Sequence, residues 1–314
     1  MKEVHQCPVC SSKAFTITET VPTTYFIEEW KNQNPQMSIM IQTAMNQGEI
    51  PLTISFATCS NCKVEFSTPM FSAGSEWYQD FEHYDLKWEH YHCLEKLKPN
   101  SRILEIGCGE GRFLEIANEQ GHTTLGLDFN VKAVKRAQEK GLNVNCWDLR
   151  ELKSRIGQQE FDAVVFFQVL EHIDDLASFF SDLNLIMGAD TSLHLACPSP
   201  NRYSIHLKPW TDQSPREIWD YPPHHQTRWN ETSLQILLEQ FNWKMTSCEY
   251  EPVDVRGLGT YSAFEHARRQ GKLLDAVNPI ARKISIASHM LTFAWKARSF
   301  SGVGMYCTAI HQTH

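Results

Sequence analysis

The sequence predicts an α/β fold in which helices cover both faces of a mostly parallel sheet, preceded by a small metal-binding domain. Two observations predict the sheet. Short apolar runs alternate with segments of helical periodicity, and these runs lack the period-two alternation of a half-exposed strand. A third observation predicts the small domain, because two C-x-x-C pairs occur within the first 62 residues. We therefore expect a sheet buried between helix layers and a separate cysteine-held module.

Length and composition narrow the class of protein. With 314 residues, of which 42% are apolar, the chain is long enough for one large domain and one smaller domain. A net charge of −8 and a pI near 6.0 give no broad basic surface, which argues against nucleic acid and anionic membranes as partners. The sequence has no run of about 18 apolar residues, and its start lacks the apolar core of a signal peptide. We therefore expect a cytoplasmic protein with no transmembrane segment.

Four of the ten cysteines form two pairs typical of a zinc site, Cys7 with Cys10 and Cys59 with Cys62. Two such pairs supply four thiolates, which close a structural site and leave no open position for a catalytic metal. Nearly fifty residues separate the pairs, whereas a zinc ribbon usually has about 15 to 20. Residues 25–48 carry apolar residues at helical spacing, so we expect a helical insert. The alternatives are a redox dithiol or cysteines that bind no metal.

We assign residues 1–72 to this zinc-ribbon domain and residues 73–314 to the second domain, which carries the alternating pattern. Residues 102–112 read R-I-L-E-I-G-C-G-E-G-R, which is typical of a buried strand that breaks into a glycine turn and then enters a helix. Gly121 stands where that helix ends, and Asn130 stands where the next one begins. The predicted strands are residues 102–106, 123–127, 142–146, 161–167, 191–196, 243–250 and 303–310.

Further helices are predicted around these strands. One covers residues 77–97, one covers residues 176–187, and one begins at a capping box formed by Thr232 and Gln235. Residues 257–299 form an insertion rich in helix formers and basic residues. We interpret it as a solvated helix pair over the site; the alternative is a basic surface for an acidic acceptor, a membrane or a partner.

Two acidic residues stand at strand ends, where ligands of parallel sheets bind. Asp128 follows the second strand, about twenty residues after the glycine turn, and is placed to accept both hydroxyls of a ribose. Asp148 follows the third strand, where it can meet an adenine amino group. The turn reads E-x-G-x-G-x-G, unlike the G-x-G-x-x-G of dinucleotide sites, and the sequence has no G-x-x-x-x-G-K-[ST] phosphate loop. These features predict a site for an adenosine-bearing ligand, and the alternative for each acid is an exposed strand-end carboxylate.

The run L-E-I-G-C-G-E-G at residues 104–111 resembles the first motif of class I S-adenosylmethionine-dependent methyltransferases. The two acids and the F-D-A-V-V run at residues 161–165 match that family's later motifs. The resemblance covers about residues 97–241 and is closest to the O-methyltransferases of ubiquinone biosynthesis. It implies a Rossmann-like seven-stranded sheet with an antiparallel last strand, and S-adenosylmethionine as cofactor. The cofactor-binding residues it implies are Glu105 to orient the turn, Gly107, Gly109 and Gly111 in the turn, Asp128 for the ribose, Asp148 and Leu149 for adenine, and Gln168 near the methionine amino group.

Methyl transfer to a hydroxyl requires a base that takes the proton of the acceptor. His172 directly follows the fourth strand, and Glu171 beside it can orient a ring or meet the substrate. The alternative is that this pair caps the next helix. His224 and His225 lie in the loop Y-P-P-H-H-Q-T-R-W at residues 221–229, which resembles a loop over the acceptor side in the same subgroup. These four residues are the catalytic candidates.

The leading interpretation is a methyltransferase that acts on oxygen of a small-molecule or sugar-type acceptor, uses a histidine as general base and carries structural zinc. Three alternatives remain. Deoxysugar C-methyltransferases pair a two-knuckle zinc module with this core, but they carry a further C-terminal domain that this chain is too short to contain. An RNA methyltransferase would use the zinc ribbon to bind RNA, against which stand the net acidity and the lack of an N-P-P-Y-like motif. The third alternative is a cofactor-binding scaffold without turnover.

Overall fold

The structure is a computed structural model that describes residues 5–72, 74–78, 85–156, 161–188, 190–202, 205, 216–254, 287, 291 and 301–312. The insertion predicted at residues 257–299 lies outside the described residues, apart from Ala287 and Leu291, which are helical and exposed. Within the described ranges, no helix combines the length and the apolar character needed to cross a bilayer.

The first sheet is antiparallel and is built mainly from the N-terminal region. Its strands are, in spatial order, β1 (Phe15–Pro22), β2 (Thr53–Cys59), β3 (Glu65–Thr68) and β9 (Thr227–Arg228). Two helices lie between β1 and β2, namely α1 (Thr23–Gln33) and α2 (Pro35–Asn46). They confirm the predicted helical insert.

The helical insert is held by a cap and by aromatic packing. The Asn34 side chain accepts hydrogen bonds from the backbone of the first turn of α2, and Pro35 occupies the first helical position. Phe26 and Trp30 of α1 are fully buried, and the Phe26 ring lies 4.9 Å from the ring of Tyr221. The insert therefore packs against a segment that is almost two hundred residues away in sequence.

The second sheet has seven strands. Their bounds are β4 (Arg102–Ile106), β5 (Thr123–Leu127), β6 (Val144–Asn145), β7 (Ala163–Phe167), β8 (Ser192–Pro198), β10 (Trp243–Tyr250) and β11 (Gly304–His311). The spatial order is β10-β11-β8-β7-β4-β5-β6. Strands β4 to β8 are parallel, and β11 lies antiparallel between β8 and β10. This confirms the Rossmann-like α/β sheet with an antiparallel last strand.

Helices cover both faces of this sheet. They are α4 (Trp88–Lys96), α5 (Arg112–Glu119), α6 (Val131–Glu139), α7 (Leu149–Ile156), α8 (Leu176–Ile186) and α9 (Glu231–Gln240). The four-residue helix α3 (Ser75–Tyr78) instead packs Trp77 against Trp30 of α1. Adjacent residues of β4 point to opposite faces, so Ile103 packs in the core that includes Phe113 and Val134, whereas Leu104 packs in the core that includes Phe180 and Leu237. The apolar runs of the parallel strands are thus explained by burial on both sides.

Two details differ from the sequence prediction. The capping box at Thr232 and Gln235 was wrong, because Asn230 caps α9 two residues earlier. The Asn230 side chain accepts from Ser233 N at 3.0 Å, and Ser233 Oγ accepts from Asn230 N at 3.0 Å. Asparagine is a stronger N-cap than threonine, so Thr232 falls inside the first turn. The helix predicted over residues 77–97 consists of α3 and α4, with residues 79–84 outside the described ranges.

Candidate active site

The glycine turn between β4 and α5 shapes one end of a cavity. Gly107, Gly109 and Gly111 have φ angles of 75°, 53° and 76°, a region that residues with side chains rarely adopt. A Cβ on Gly107 would lie 2.4 Å from Cγ2 of Val169, and a Cβ on Gly111 would lie 2.4 Å from Cδ1 of Leu142. The turn therefore requires glycine, and at Gly107 it presents main chain to the cavity.

Glu105 and Asp128 stand at the ends of neighbouring strands beside this turn. Asp128 Oδ2 accepts from Gly109 N at 2.7 Å, and its Oδ1 accepts from Asn130 N at 2.7 Å, so this carboxylate fixes the turn while it lines the cavity. Glu105 is 4% exposed, and its Oε2 has no hydrogen-bond partner among the described residues. Burial, with the charge of Asp128, raises the pKa of Glu105 to about 8. An unpartnered buried oxygen on a cavity wall suits a ligand that donates a hydrogen bond there.

The other predicted cofactor residues lie along the same wall. Asp148 Oδ1 accepts from Glu151 N at 2.7 Å at the start of α7, and the neighbouring Leu149 is buried. Gln168 follows β7 with a φ of 55°, and its Nε2 donates to Glu89 Oε1 at 2.9 Å. Six of the eight predicted cofactor residues line the cavity, and the two remaining turn glycines shape the turn behind it. The six are Glu105, Gly107, Asp128, Asp148, Leu149 and Gln168.

The cavity has a volume of about 800 Å³ and continues from the glycine turn to the predicted histidines. This volume lies in the upper part of the range of about 300–1,000 Å³ that is typical of small-molecule sites. All four catalytic candidates line it. They are Glu171, His172, His224 and His225.

The three histidines come together from two distant segments. His172 ends the 3-10 turn Leu170–His172 directly after β7, whereas His224 and His225 follow the 3-10 turn Ile218–Asp220. The ring centroid of His172 lies 4.5 Å from that of His224 and 5.0 Å from that of His225. One nitrogen of each ring lies within 4.8 Å of the others. The alternative that Glu171 and His172 cap α8 is wrong, because the side chain of Asp175 makes that cap.

Hydrogen bonds set the protonation pattern of two rings. His172 Nδ1 lies 2.7 Å from the carbonyl oxygen of His224, and His225 Nδ1 lies 3.2 Å from Asp220 Oδ1. Both oxygens can only accept, so each Nδ1 carries the proton and each Nε2 keeps a lone pair. Burial, with the nearby charge of His225, lowers the pKa of His172 to about 3. Burial also lowers the pKa of His225, although Asp220 opposes this shift. Both rings are therefore neutral at pH 7.

Glu171 lies between these two rings. Its Oε1 is 3.9 Å from Nε2 of His172 and 3.9 Å from Nε2 of His225. The side chain is 1% exposed, and neither carboxyl oxygen has a hydrogen-bond partner in the described part of the chain. Burial raises the pKa of Glu171 to about 8, so most molecules carry it protonated at pH 7. Two lone-pair nitrogens and a neutral carboxyl thus form one buried cluster that can exchange a proton with a bound hydroxyl or amine.

Three residues of this cluster were not predicted as catalytic from sequence. The Arg202 guanidinium forms a buried ion pair with Asp220. Burial alone would raise the pKa of Asp220, but Arg202 and His225 hold it well below its usual range, so Asp220 stays charged and orients the His225 ring. Tyr78 Oη lies 3.3 Å from His172 Nδ1. An acid five residues before His225 was the available signal for Asp220, whereas Arg202 follows β8 and has no local signal.

The four predicted zinc ligands also come together. Cys7 Sγ lies 3.5 Å from Cys62 Sγ, Cys10 Sγ lies 3.5 Å from Cys59 Sγ, and all four sulfurs lie within 4.8 Å of one another. In a tetrahedral site with Zn–S bonds of about 2.3 Å, neighbouring sulfurs are about 3.8 Å apart. The arrangement therefore fits a closed four-thiolate zinc site.

Comparison with known proteins identifies the second domain. A family model described as a methyltransferase domain matches residues 78–248. The chain is 28% identical over 178 residues to a "probable S-adenosylmethionine-dependent methyltransferase" of Mycolicibacterium smegmatis, over 55% of this chain and 62% of that protein. It is 24% identical over 150 residues to the ubiquinone biosynthesis O-methyltransferase of Histophilus somni, over 36% of this chain and 63% of that protein.

Two further matches differ in what they cover. Over 79 residues the chain is 39% identical to the "probable tRNA methyltransferase 9B" of Bos taurus, which spans 25% of this chain and 17% of that protein. The chain covers less than two thirds of the length of each of these three relatives. A methyltransferase of Haloferax volcanii, solved in complex with the Trm112 methyltransferase activator, shares the fold with a TM-score of 0.50 and 13% identity, over 76% of this chain and 93% of that one. With the family model matched across more than half of its length, this chain belongs to the class I S-adenosylmethionine-dependent methyltransferase family.

Proposed function

We propose that this chain transfers a methyl group to a hydroxyl oxygen of a small-molecule or sugar-type acceptor, with a histidine as general base. One observation carries the proposal. The neutral pair of buried His225 and partly buried His172 lines the same cavity as the glycine turn, with both Nε2 atoms beside Glu171.

The cofactor side of the cavity fits S-adenosylmethionine. A Cβ on Gly107 would collide with Val169, so the turn presents bare main chain to the cavity. Glu105 offers an unpartnered buried oxygen, and Asp128 lines the cavity and would hold the ribose. When bound, the cofactor supplies an electrophilic methyl group on a sulfonium. Asp148 and Leu149 would contact adenine, and Gln168 would meet the methionine end. Gly109 and Gly111 would act through the shape of the turn.

We assign the base role to His225. Its Nδ1–H is held by the Asp220 carboxylate, which stabilises the imidazolium that forms when Nε2 takes a proton. His172 instead donates Nδ1–H to a neutral carbonyl, which stabilises its cation less. His172, His224 and Glu171 would then contact the acceptor and help to place its hydroxyl. His225 Nε2 would take the proton that the acceptor hydroxyl loses when its oxygen gains the methyl group and the sulfur–methyl bond breaks.

The charge of the cavity wall supports an uncharged or cationic acceptor over RNA. Among the described residues, ten carboxyl side chains line the cavity. Burial keeps two of them, Glu105 and Glu171, mostly protonated at pH 7, which leaves eight against three lysine and arginine side chains, one of which is already paired with Asp220. A polyphosphate backbone would be repelled by this wall. The acids are Asp85, Glu105, Asp128, Asp148, Glu171, Asp174, Asp175, Asp182, Glu217 and Asp220, and the bases are Lys87, Arg112 and Arg202.

Small-molecule and RNA acceptors both occur among the relatives. The Histophilus somni relative is named for ubiquinone biosynthesis, and the Bos taurus relative is named for tRNA. The acidic wall and the neutral histidine pair favour the first type of acceptor for this chain.

We further propose that Cys7, Cys10, Cys59 and Cys62 hold one structural zinc ion. The module at residues 1–72 would then be a zinc ribbon with a helical insert, and residues 73–314 would be the methyltransferase domain. Four thiolates satisfy the tetrahedral coordination of zinc, so the ion would serve folding and take no part in the transfer.

A transfer assay with methyl-labelled cofactor tests the acceptor class. The purified full-length chain is offered uncharged phenols and sugars, anionic nucleotide sugars, and total tRNA. We expect label on oxygen of an uncharged acceptor. Label confined to tRNA, with inhibition by added salt, would contradict the proposal in favour of RNA methylation. Cofactor binding without label on any acceptor would favour a non-catalytic scaffold.

A further inference from the structure

The loop that carries His224 and His225 belongs to the methyltransferase domain in sequence, but its following strand lies in the N-terminal sheet. Strand β9 pairs antiparallel with β3, with Arg228 opposite Glu65 and Thr227 opposite Phe66. In the described residues it has no place in the seven-stranded sheet. The catalytic loop is thus attached to the module that contains the four cysteines.

Gln226, the residue after the histidine pair, makes most of this attachment. It is fully buried, and its Oε1 accepts from Phe71 N at 2.9 Å and from Ser67 Oγ at 3.2 Å. Its Nε2 donates to Phe71 O at 2.6 Å and to Pro223 O at 3.2 Å within the loop. Its main chain accepts from Ser67 N at 2.8 Å and donates to the carbonyl oxygen of Glu171 at 2.7 Å. The side chain of Gln226 therefore joins the N-terminal module to the histidine loop, and its main chain adds the turn that carries Glu171 and His172.

Arg228 in β9 and Asn230, two residues later, extend these contacts towards the cysteines. Arg228 Nη1 lies 3.0 Å from Glu19 Oε2 of β1 and 3.1 Å from Glu65 Oε2 of β3. The Asn230 side chain donates to the carbonyl oxygen of Lys63 at 2.8 Å. Lys63 directly follows Cys62, so the cap of α9 contacts the second cysteine knuckle itself.

The cysteines lie at the ends of the strands that hold β9. Cys59 is the last residue of β2, and β3 begins three residues after Cys62, so this knuckle is the turn of the β2–β3 hairpin. The other knuckle, at Cys7 and Cys10, comes shortly before β1. A zinc ion bound to all four sulfurs would fix these strands to one another, and with them the edge of β3 on which β9 lies.

We propose that the cysteine module is the support that holds the histidine loop in its working position, and that Gln226 is the positioning residue that connects the two. This inference rests on the proposed function, both for zinc at the four cysteines and for the role of His225. Loss of zinc loosens β3 and moves the histidines away from the acceptor, while the glycine turn, which lies on the other sheet, keeps its shape. A shift of about 1 Å in a catalytic group can lower turnover about 100-fold.

Zinc removal with hydrogen-exchange detection tests the support. Full-length protein is treated with a chelator, zinc loss is measured by elemental analysis, and amide exchange is compared at residues 220–230 and 102–112. We expect loss of protection at residues 220–230, retained protection at residues 102–112, unchanged calorimetric affinity for S-adenosylhomocysteine, and recovery when zinc is restored. Retained protection at residues 220–230 in zinc-free protein would overturn the proposal. This readout uses no acceptor, so it decides the coupling even if His225 proves not to be the base.

A matched pair of variants tests the connecting residue. Gln226→Met keeps the length of the side chain and removes all its hydrogen bonds, whereas Gln235→Met makes the same change at an exposed position on α9. We expect Gln226→Met to expose residues 220–230 to exchange and to lower kcat about 100-fold, with unchanged cofactor affinity and zinc content. Gln235→Met should match the wild type in all four measurements. If Gln226→Met retained both the protection and the kcat of the wild type, Gln226 would not be the positioning residue.

Discussion

A buried histidine is neutral at physiological pH, but burial also makes it a weak base. His172 has a low pKa of about 3, because a site shielded from water stabilises the charged ring poorly. His225 differs because the charged Asp220 lies against its Nδ1 and Arg202 keeps Asp220 ionised. The Asp220 carboxylate offsets the effect of burial on the basicity of His225, because it lies beside the ring that becomes an imidazolium. Among the three rings, this supports the proposal that His225 is the proton acceptor.

Replacing Asp220 tests that distinction. Asp220→Asn keeps the size of the side chain but removes the charge that orients and stabilises the His225 ring. General-base catalysis contributes about 100-fold to 10,000-fold, so we expect kcat to fall within that range with little change in cofactor affinity. Asp190→Asn, at an exposed turn before β8, is the control. A native kcat in Asp220→Asn would rule out the orienting role.

Glu171 gives a prediction about stability and pH. Its carboxyl ionises near 4.5 in the unfolded chain and near 8 in the folded protein, so folding favours the protonated form. The stability that folding gains from the protonated Glu171 is fully present below pH 4.5 and is lost as pH rises through 8. Glu171→Gln keeps a neutral group of the same shape. As pH rises from about 5 to about 9, the free energy of unfolding of Glu171→Gln should therefore increase by a few kcal/mol relative to that of the wild type.

Chemical denaturation at several pH values measures this difference, with the exposed Glu231→Gln as the control that should follow the wild type. A constant offset between Glu171→Gln and the wild type across the pH range would show that burial does not shift the pKa of Glu171.

Asp128 is expected to contribute directly to cofactor affinity. Its two oxygens accept from Gly109 N and Asn130 N, and the side chain lines the cavity, where we propose that it holds the ribose. A hydrogen bond to a charged group contributes about 1.5–3 kcal/mol. We therefore expect Asp128→Ala to weaken S-adenosylhomocysteine binding by at least about tenfold in calorimetry. An unchanged Kd would count against this site, and Asp190→Ala should leave the Kd unaltered.

At the scale of elements, the glycine turn depends on its backbone shape. Gly107 has a φ of 75°, and its Cβ would meet Val169, which immediately precedes the turn of His172. Gly107→Ala should cost about 1–3 kcal/mol of stability from backbone strain alone and should abolish cofactor binding. Gly48→Ala is a useful control, because it has a similar φ of 72° but nothing within 4 Å of the added Cβ. Similar cofactor affinity in the two variants would show that the shape at Gly107 is not needed.

Elements were predictable from sequence where local pattern decides them. Strands such as β4 and β7 are buried on both faces, so their apolar runs are unmistakable, and Asn130 caps α6 as expected from its place in the pattern. Strand β9 was missed because two residues carry no periodicity and its partner β3 lies about 160 residues earlier. The Arg202–Asp220 pair was missed because its two residues lie 18 positions apart and no local pattern links them. Local pattern reports propensity and burial, whereas these contacts arise only from the tertiary fold.

In the whole molecule, the two sheets position different sides of the cavity. The seven-stranded sheet presents the glycine turn, Asp128 and Asp148 on one side of the cavity. The four-stranded sheet holds the loop of His224 and His225 on the other side. One hydrophobic core includes Val9 of the first cysteine knuckle and Phe66 of the first sheet together with Leu104 and Val164 of the second sheet. The glycine-turn side and the histidine side of the cavity are therefore joined by packing as well as by hydrogen bonds.

The role of His225 as general base is tested most directly by the kcat of His225→Gln on the acceptor identified by the labelled transfer assay, with cofactor and acceptor both saturating. Glutamine keeps a polar side chain of similar reach and cannot accept the proton. We expect kcat to fall at least about 100-fold, with the Kd for S-adenosylhomocysteine unchanged. A kcat near that of the wild type would contradict the assignment of His225 as the general base.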